Sequence, residues 1–197
     1  MLVVLSVEED KLDKQISLDR FLASVEARSF RMAEMATRNR DDALDIVQEA
    51  MIKLVRKYAD KPESEWPALF RRILQNGIVD WHRKRAVKNR VMSWLGMGKE
   101  DSADESYEDP IQTAKDINGK EPLRELVKGI ATERMIEAVT ELPLRQQQAF
   151  LLRSWEGLNV KETAVAMGCT DGSVKTHYSR AVVSLRAKLK AHWDVTT

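Results

Sequence analysis

Two long runs of helical periodicity constrain this chain more than any other feature. From about Asp19 to Arg90, and again from Leu123 to Trp193, apolar residues return at the spacing of a helix face. The second run is interrupted near Pro143, Gly157 and Gly168. With only 8 Gly and 5 Pro in 197 residues there are few places for strand turns, and no alternating pattern competes. Between the runs, "WLGMGKEDSADESYEDPIQTAKDINGKEP" (94–122) collects Gly, Ser, Asp, Glu and Pro in linker-like proportion. The predicted architecture is therefore all-α. Two small helical domains, 1–93 and 123–197, are joined by a flexible acidic linker, 94–122.

The formal net charge of +1 hides a segregated distribution. Arg71 to Arg90 holds seven Lys/Arg against one acid, a net of +6. Lys99 to Glu121 holds eight acids against three bases, a net of −5. Gly172 to His192 has five bases, two His and no acid. Basic blocks are often just solvated faces, but two of them on patterned helices direct attention to nucleic acid.

The single Cys169 excludes an internal disulfide and a zinc site built on Cys. The start "MLVVLSVEED" has too short an apolar run, and no positive flank, for a signal peptide. No stretch of about 18 apolar residues is present, so no membrane insertion is expected and the predicted location is cytoplasmic.

Three helices sort their residues when plotted at about 100° per residue. In "DDALDIVQEAMIKLV" (41–55), Ala43, Leu44, Val47, Ala50, Met51 and Leu54 gather on one side. Asp41, Asp45, Gln48 and Glu49 lie opposite, with Ile52 in their midst. A solvated face accounts for the carboxylates alone. An apolar anchor inside a polar rim is instead the pattern of a protein-docking patch. Metal binding there is not expected, since no His or further ligand lies at helical spacing.

In "WPALFRRILQNGIVDWHRKR" (66–85), Phe70, Ile73, Leu74, Gly77, Ile78 and Trp81 form the apolar side. Arg72, Asn76, Asp80 and Arg83 share the far side, flanked by Arg71, Lys84 and Arg85. Asn pairs with base edges, Arg and Lys hold phosphates, and Asp accepts from an exocyclic amine, so the mixture suits nucleic acid. Trp81 offers a stacking surface, yet its angle places it among core residues.

The third pattern is a hinge followed by a basic helix. "LNVKETAVAMGC" (158–169) reads as a helix ending near Gly168, and a second helix opens near Ser173. Ala164, Gly168 and Val174 have the spacing of a helix-turn-helix: a small residue at the crossing, Gly at the turn, an apolar anchor in the second helix. Any helical hairpin can show it. The acid-free second helix, with Lys175, Thr176, Ser179 and Arg180, raises its specificity. Cys169 reads as a small plug between helices or, alternatively, a redox-sensitive thiol.

Placed in order, these segments resemble an extracytoplasmic-function sigma factor, over about Phe21 to Leu189. "DDALDIVQEAMIKL" is similar to the family segment that docks on the clamp helices of the polymerase β′ subunit. "ALFRRILQNGIVDWHRKR" is similar to the segment that reads and melts the −10 element. "ELPLRQQQAFLLRSWEGLNVKETAVAMGCTDGSVKTHYSRAVVSLRAKL" is similar to the C-terminal domain whose helix-turn-helix reads the −35 element. The resemblance places Asp41, Asp45, Gln48, Glu49 and Ile52 on the polymerase-binding face. It places Arg72, Asn76, Asp80, Arg83, Lys84 and Arg85 at the −10 element, and Ser173, Lys175, Thr176, Ser179 and Arg180 at the −35 element. The loop "DKPESE" (60–65) falls where the family captures a flipped base. Where the family usually has Trp-Leu this chain has Leu69-Phe70, with Trp66 upstream. That departure changes packing beneath the reader helix and leaves its reading positions in place.

The resemblance implies core RNA polymerase (β′ clamp helices and β flap) and promoter DNA as partners. An anti-sigma factor is a family expectation that no residue identifies. No catalytic residues, metal or cofactors are expected. A self-sufficient helix-turn-helix regulator would leave the docking patch and the Asn76 face unused. A DNA enzyme would need His82 with Asp80, but residues two apart diverge on a helix.

Overall fold

A computed structural model describes residues 2–94 and 128–193, with side chains over 12–91, 94 and 134–190. The predicted linker, except Trp94, lies outside the described residues, as does the family resemblance at 95–127. Among the described residues every regular element is helical.

Helix α1 (Leu2–Thr37) ends where Arg38 takes a left-handed backbone, φ 54°. For a residue with a Cβ this costs about 1 kcal/mol or more. Asn39 then caps α2 (Arg40–Tyr58), accepting from the Asp41 and Asp42 amides at 2.9 and 3.0 Å. The two aspartates add negative charge at the positive end of the helix dipole. A single 3₁₀ turn (Glu63–Glu65) leads into α3 (Trp66–Trp94), so Trp94 ends a helix rather than opening a linker. Trp66 is fully buried and donates from Nε1 to the Tyr58 carbonyl at 3.1 Å. That bond ties the start of α3 to the end of α2.

The N-terminal core packs Ala33, Ala43, Val47, Leu54, Phe70 and Ile78 between these helices. The Phe21 ring meets Phe70 edge-on at 6.0 Å. Gly77 brings α2 and α3 close, since a Cβ there would stand 3.3 Å from Ile46 Cγ2. This contact explains a departure from the helical wheel: Ile46 is buried, whereas Leu44 is 38% exposed. Both α1 and α3 flank α2, so its buried arc extends toward Ile46 and leaves Leu44 at the rim.

In the C-terminal half, α4 (Lys128–Thr140) is followed by Leu142-Pro143 and α5 (Leu144–Phe150). α5 widens into a π turn (Leu151–Trp155), and Gly157, at φ 70°, reverses the chain. A reciprocal Asn159–Glu162 capping box starts α6 (Val160–Met167). Gly168 ends it in the left-handed region at φ 63°. α7 (Asp171–Trp193) starts earlier than Ser173. Gly172 therefore lies inside its first turn, and of the two glycines of that hinge Gly168 alone has positive φ. Thr170 makes this entry, its hydroxyl accepting from the Ser173 amide at 3.2 Å. Ala164, Val174, Ala181 and Leu185 are buried together.

The two halves pack against each other, α6 on α3 and α4 on α1. Much of the seam is polar. Gln148 Nε2 donates to Gln75 Oε1 at 2.8 Å, and Gln75 Nε2 donates to Met32 Sδ at 2.9 Å. Gln147 Nε2 bridges the Met35 and Val139 carbonyls at 3.1 and 3.0 Å. Arg38 reaches the Thr140 carbonyl at 2.6 Å. Glu156 lies 3.5 Å from Arg28 and 3.8 Å from Arg71.

Truncating Phe70 removes the ring that α1, α2 and α3 share. Phe70→Ala should cost about 3–5 kcal/mol, measured as a lower urea midpoint by circular dichroism. Asn159→Ala should cost about 1 kcal/mol, the value of one lost helix cap.

Candidate functional site

The outer face of α2 is open along its length. Asp41, Asp45, Gln48 and Glu49 are all exposed, and Ile52 is 49% exposed among them. Leu44 and Val55 extend the apolar anchor at helical spacing, which the wheel alone did not reveal. Glu49 pairs with Lys53 at 2.8 Å, and this hydrogen bond and charge lower its carboxyl pKa from the ordinary value. The patch combines an apolar stripe with an acidic and amide rim. Such a surface suits a protein with apolar and basic groups.

On α3 the core side chains Phe70, Leu74 and Ile78 fix the helix roll. Arg72, Asn76, Asp80, Arg83, Lys84 and Arg85 are consequently all exposed. The first five share the outer side, whereas Arg85 turns over the Trp81 ring, 5.1 Å from its centroid, and lines the space between the halves. Trp81 is half-buried and packs against the core. His82 also faces the cleft, where burial foremost, then the charge of Arg85, lowers its pKa against a backbone bond at Ala36. Asp80 points elsewhere, so Asp80 and His82 do not form an acid–base pair.

The loop 60–65 is exposed and contains the 3₁₀ turn. Trp66 beneath it is wholly buried, so this aromatic supports the loop instead of contacting a base.

In α7, Lys175 and Thr176 are exposed, and Ser173 and Ser179 are half-buried. The Thr176 hydroxyl already donates to the Gly172 carbonyl at 3.0 Å. Arg180 is half-buried and lines the inter-half cleft. The basic helix is thus split: its first turns face solvent, while Arg180 turns toward α3. Cys169 is partly buried against the core, and burial raises its thiol pKa. A raised thiol pKa lowers the thiolate fraction, which favours the plug over the redox reading.

Sequence reasoning missed the seam residues Gln75, Gln147 and Gln148. Nothing in "RQQQAF" distinguishes a glutamine that spans two halves from one on a solvated surface. Three consecutive polar residues that are all buried become visible only after the halves pack. Among the described residues, no group of three or more His, Cys, Asp or Glu gathers around a metal position. No described helix is long and apolar enough to cross a membrane.

Comparison with known proteins gives these faces a context. Residues 132–185 match the family model described as Sigma-70, region 4. The RNA polymerase sigma factor SigV of Bacillus subtilis is 30% identical over 168 residues, covering 81% of this chain and 83% of the relative. The ECF RNA polymerase sigma factor EcfG of Rhodopseudomonas palustris is 29% identical over 175 residues, covering 88% and 82%. The fold is similar to that of the sigma factor RpoE of Bartonella quintana, solved in complex with the anti-sigma factor NepR. Its TM-score is 0.54 at 21% identity, covering 93% of this chain and 98% of that one. With an exposed apolar-acidic face on α2, an exposed polar stripe on α3 and a helix-turn-helix in this order, the chain belongs to the RNA polymerase sigma factors, in the extracytoplasmic-function class.

Proposed function

We propose that the three faces divide the work of promoter-specific initiation. The outer face of α2, with Asp41, Asp45, Gln48, Glu49 and Ile52, docks on the β′ clamp helices of core polymerase. Arg72, Asn76 and Asp80 on α3 engage the −10 element, with Arg83, Lys84 and Arg85 on the adjoining backbone. Ser173, Lys175, Thr176, Ser179 and Arg180 on α7 enter the −35 major groove. The observation that carries this reading is the solvent exposure of the Arg72–Asn76–Asp80–Arg83 stripe while the opposite side of α3 is buried.

The proposed action contains no chemical step by this chain and belongs in the cytoplasm, where polymerase and DNA meet. Bases drawn from the stack lose a few kcal/mol, and contacts along α3 and the 60–65 loop offset that loss. Two weak DNA modules on one polymerase also gain from their high effective concentration.

Packing of α6 on α3 adds a constraint. Elements about 25 base pairs apart lie roughly 85 Å apart along B-DNA, at about 3.4 Å per step. Helices in direct contact cannot span that distance. Reading both elements therefore requires the halves to separate, and separation on polymerase exposes Arg180 to DNA. The chain without polymerase should bind promoter DNA weakly and with strong salt dependence. A sigma-binding inhibitor, like that seen with the Bartonella protein, is a candidate third partner acting on this opening.

Two substitutions separate the faces. Ile52→Asp should weaken association with core polymerase by about tenfold or more, an effect typical of an interface anchor, in a fluorescence binding assay. Unchanged affinity would remove Ile52 from the docking face. Lys175→Ala combined with Arg180→Ala should abolish dependence on the upstream element in run-off transcription, with polymerase binding retained. Loss of polymerase binding instead would mean that the face is misassigned.

A further inference from the structure

The space where the halves meet beside the glutamine seam, with Gln147 in its lining, is a cleft of about 1000 Å³. Its walls come from the end of α1, the middle of α3, the α4–α5 turn and α7. Arg38 and Arg85 enter from the N-terminal half, and Arg145, Arg180 and Lys188 from the C-terminal half. Glu141 is the one carboxylate among the described lining residues. This is a concentrated positive charge in a chain whose total is +1.

The contacts of Arg38, Arg85 and Arg145 leave the charge of these three guanidinium groups in place. Arg38 donates to the Thr140 carbonyl, and Arg145 to the Met167 carbonyl at 3.1 Å and Gln148 Oε1 at 3.3 Å. Arg85 lies over the Trp81 ring, and Lys188 pairs with Glu141. Carbonyl dipoles and a ring orient guanidinium groups without neutralising them. Arg38 is held here by the left-handed backbone turn between α1 and α2. His82 and His177 also face the cleft, and burial, with Arg85 near the first and Arg145 near the second, lowers both pKa values. At neutral pH the field comes from arginine and lysine.

We infer that this cleft binds a small molecule carrying several phosphate groups, and that the ligand holds the two halves together. Planar guanidinium forks suit phosphate oxygens in bidentate fashion, and four of the five cations are arginines. The volume lies at the upper end of the roughly 300–1000 Å³ range of small-molecule sites. A DNA duplex, with a major groove alone about 12 Å wide, is too large to be held within a cleft of about 1000 Å³. Neither half supplies the site by itself. A ligand that binds only the closed arrangement stabilises it by mass action and competes with separation on polymerase.

Titration calorimetry of the full chain at low and physiological salt tests this with tripolyphosphate, ATP and inorganic phosphate as probes. Tripolyphosphate and ATP should bind one-to-one, and inorganic phosphate about tenfold or more weakly, because it satisfies fewer forks. Much tighter binding of ATP than of tripolyphosphate would identify a nucleotide as the source; equal binding would identify the phosphate chain alone. Arg38→Gln with Arg145→Gln should weaken both probes by about tenfold or more. Because that pair also breaks bonds to Thr140 and Met167, Lys188→Gln provides a second variant that touches no backbone bond, and it should weaken both severalfold. No saturable binding up to millimolar probe would overturn the site. So would binding at several equivalent positions, or a loss in Lys175→Ala equal to that in the cleft variants, either of which places the anion on the DNA-reading surface.

Discussion

Helix α3 has to satisfy neighbours on several sides at once, and the rest of the molecule follows from how it does so. Phe70, Leu74 and Ile78 are buried against α1 and α2, and Gly77 allows Ile46 of α2 to approach closely. Gln75, one position from Leu74, turns to the C-terminal half and meets Gln148. These commitments fix the roll of a rigid rod. The remaining arc, from Arg72 through Asn76 and Asp80 to Arg83, is left to solvent because no described element covers it. The face proposed to read DNA is what the core of α3 does not use.

The contact between the halves has a different character from the contacts inside them. Inside, alanine, leucine, valine and aromatic side chains interlock. Across the seam, glutamine amides, arginines and Glu156 carry much of the connection. Such groups find water when the halves part, so each bond contributes only about 1 kcal/mol net. An apolar interface of the same extent would resist opening far more. A polar seam of this kind suits the opening that the proposed two-element reading requires.

In the proposed function, opening and DNA reading meet at Arg180. In the closed arrangement it lines the cleft, while Lys175 and Thr176, one turn earlier, remain exposed. One helix therefore presents part of its basic surface and withholds part. Arg85 on α3, although exposed like Arg72 and Arg83, also lines the cleft. The positive cleft is formed from Arg85 and Arg180 together with Arg38, Arg145 and Lys188, which belong to neither proposed reading face.

The sequence by itself determined the helical class, the exposed faces of α2 and α3, and the Ala164–Gly168–Val174 hinge. Each is a local matter of periodicity, capping or backbone freedom within about one or two turns. Local reasoning failed where two neighbours acted together: Ile46 is buried because α3 reaches it, and Leu44 is exposed because no described element does. It also placed the start of α7 too late, since Thr170 caps the helix across Gly172. Only the tertiary structure decided that Gln75, Gln147 and Gln148 are interior, that Arg180 faces inward, and that cations distant in sequence share one cleft. Those properties arise from contacts between residues up to about a hundred positions apart, such as Gln147 and Met35. No helical period in either segment encodes the position of the other.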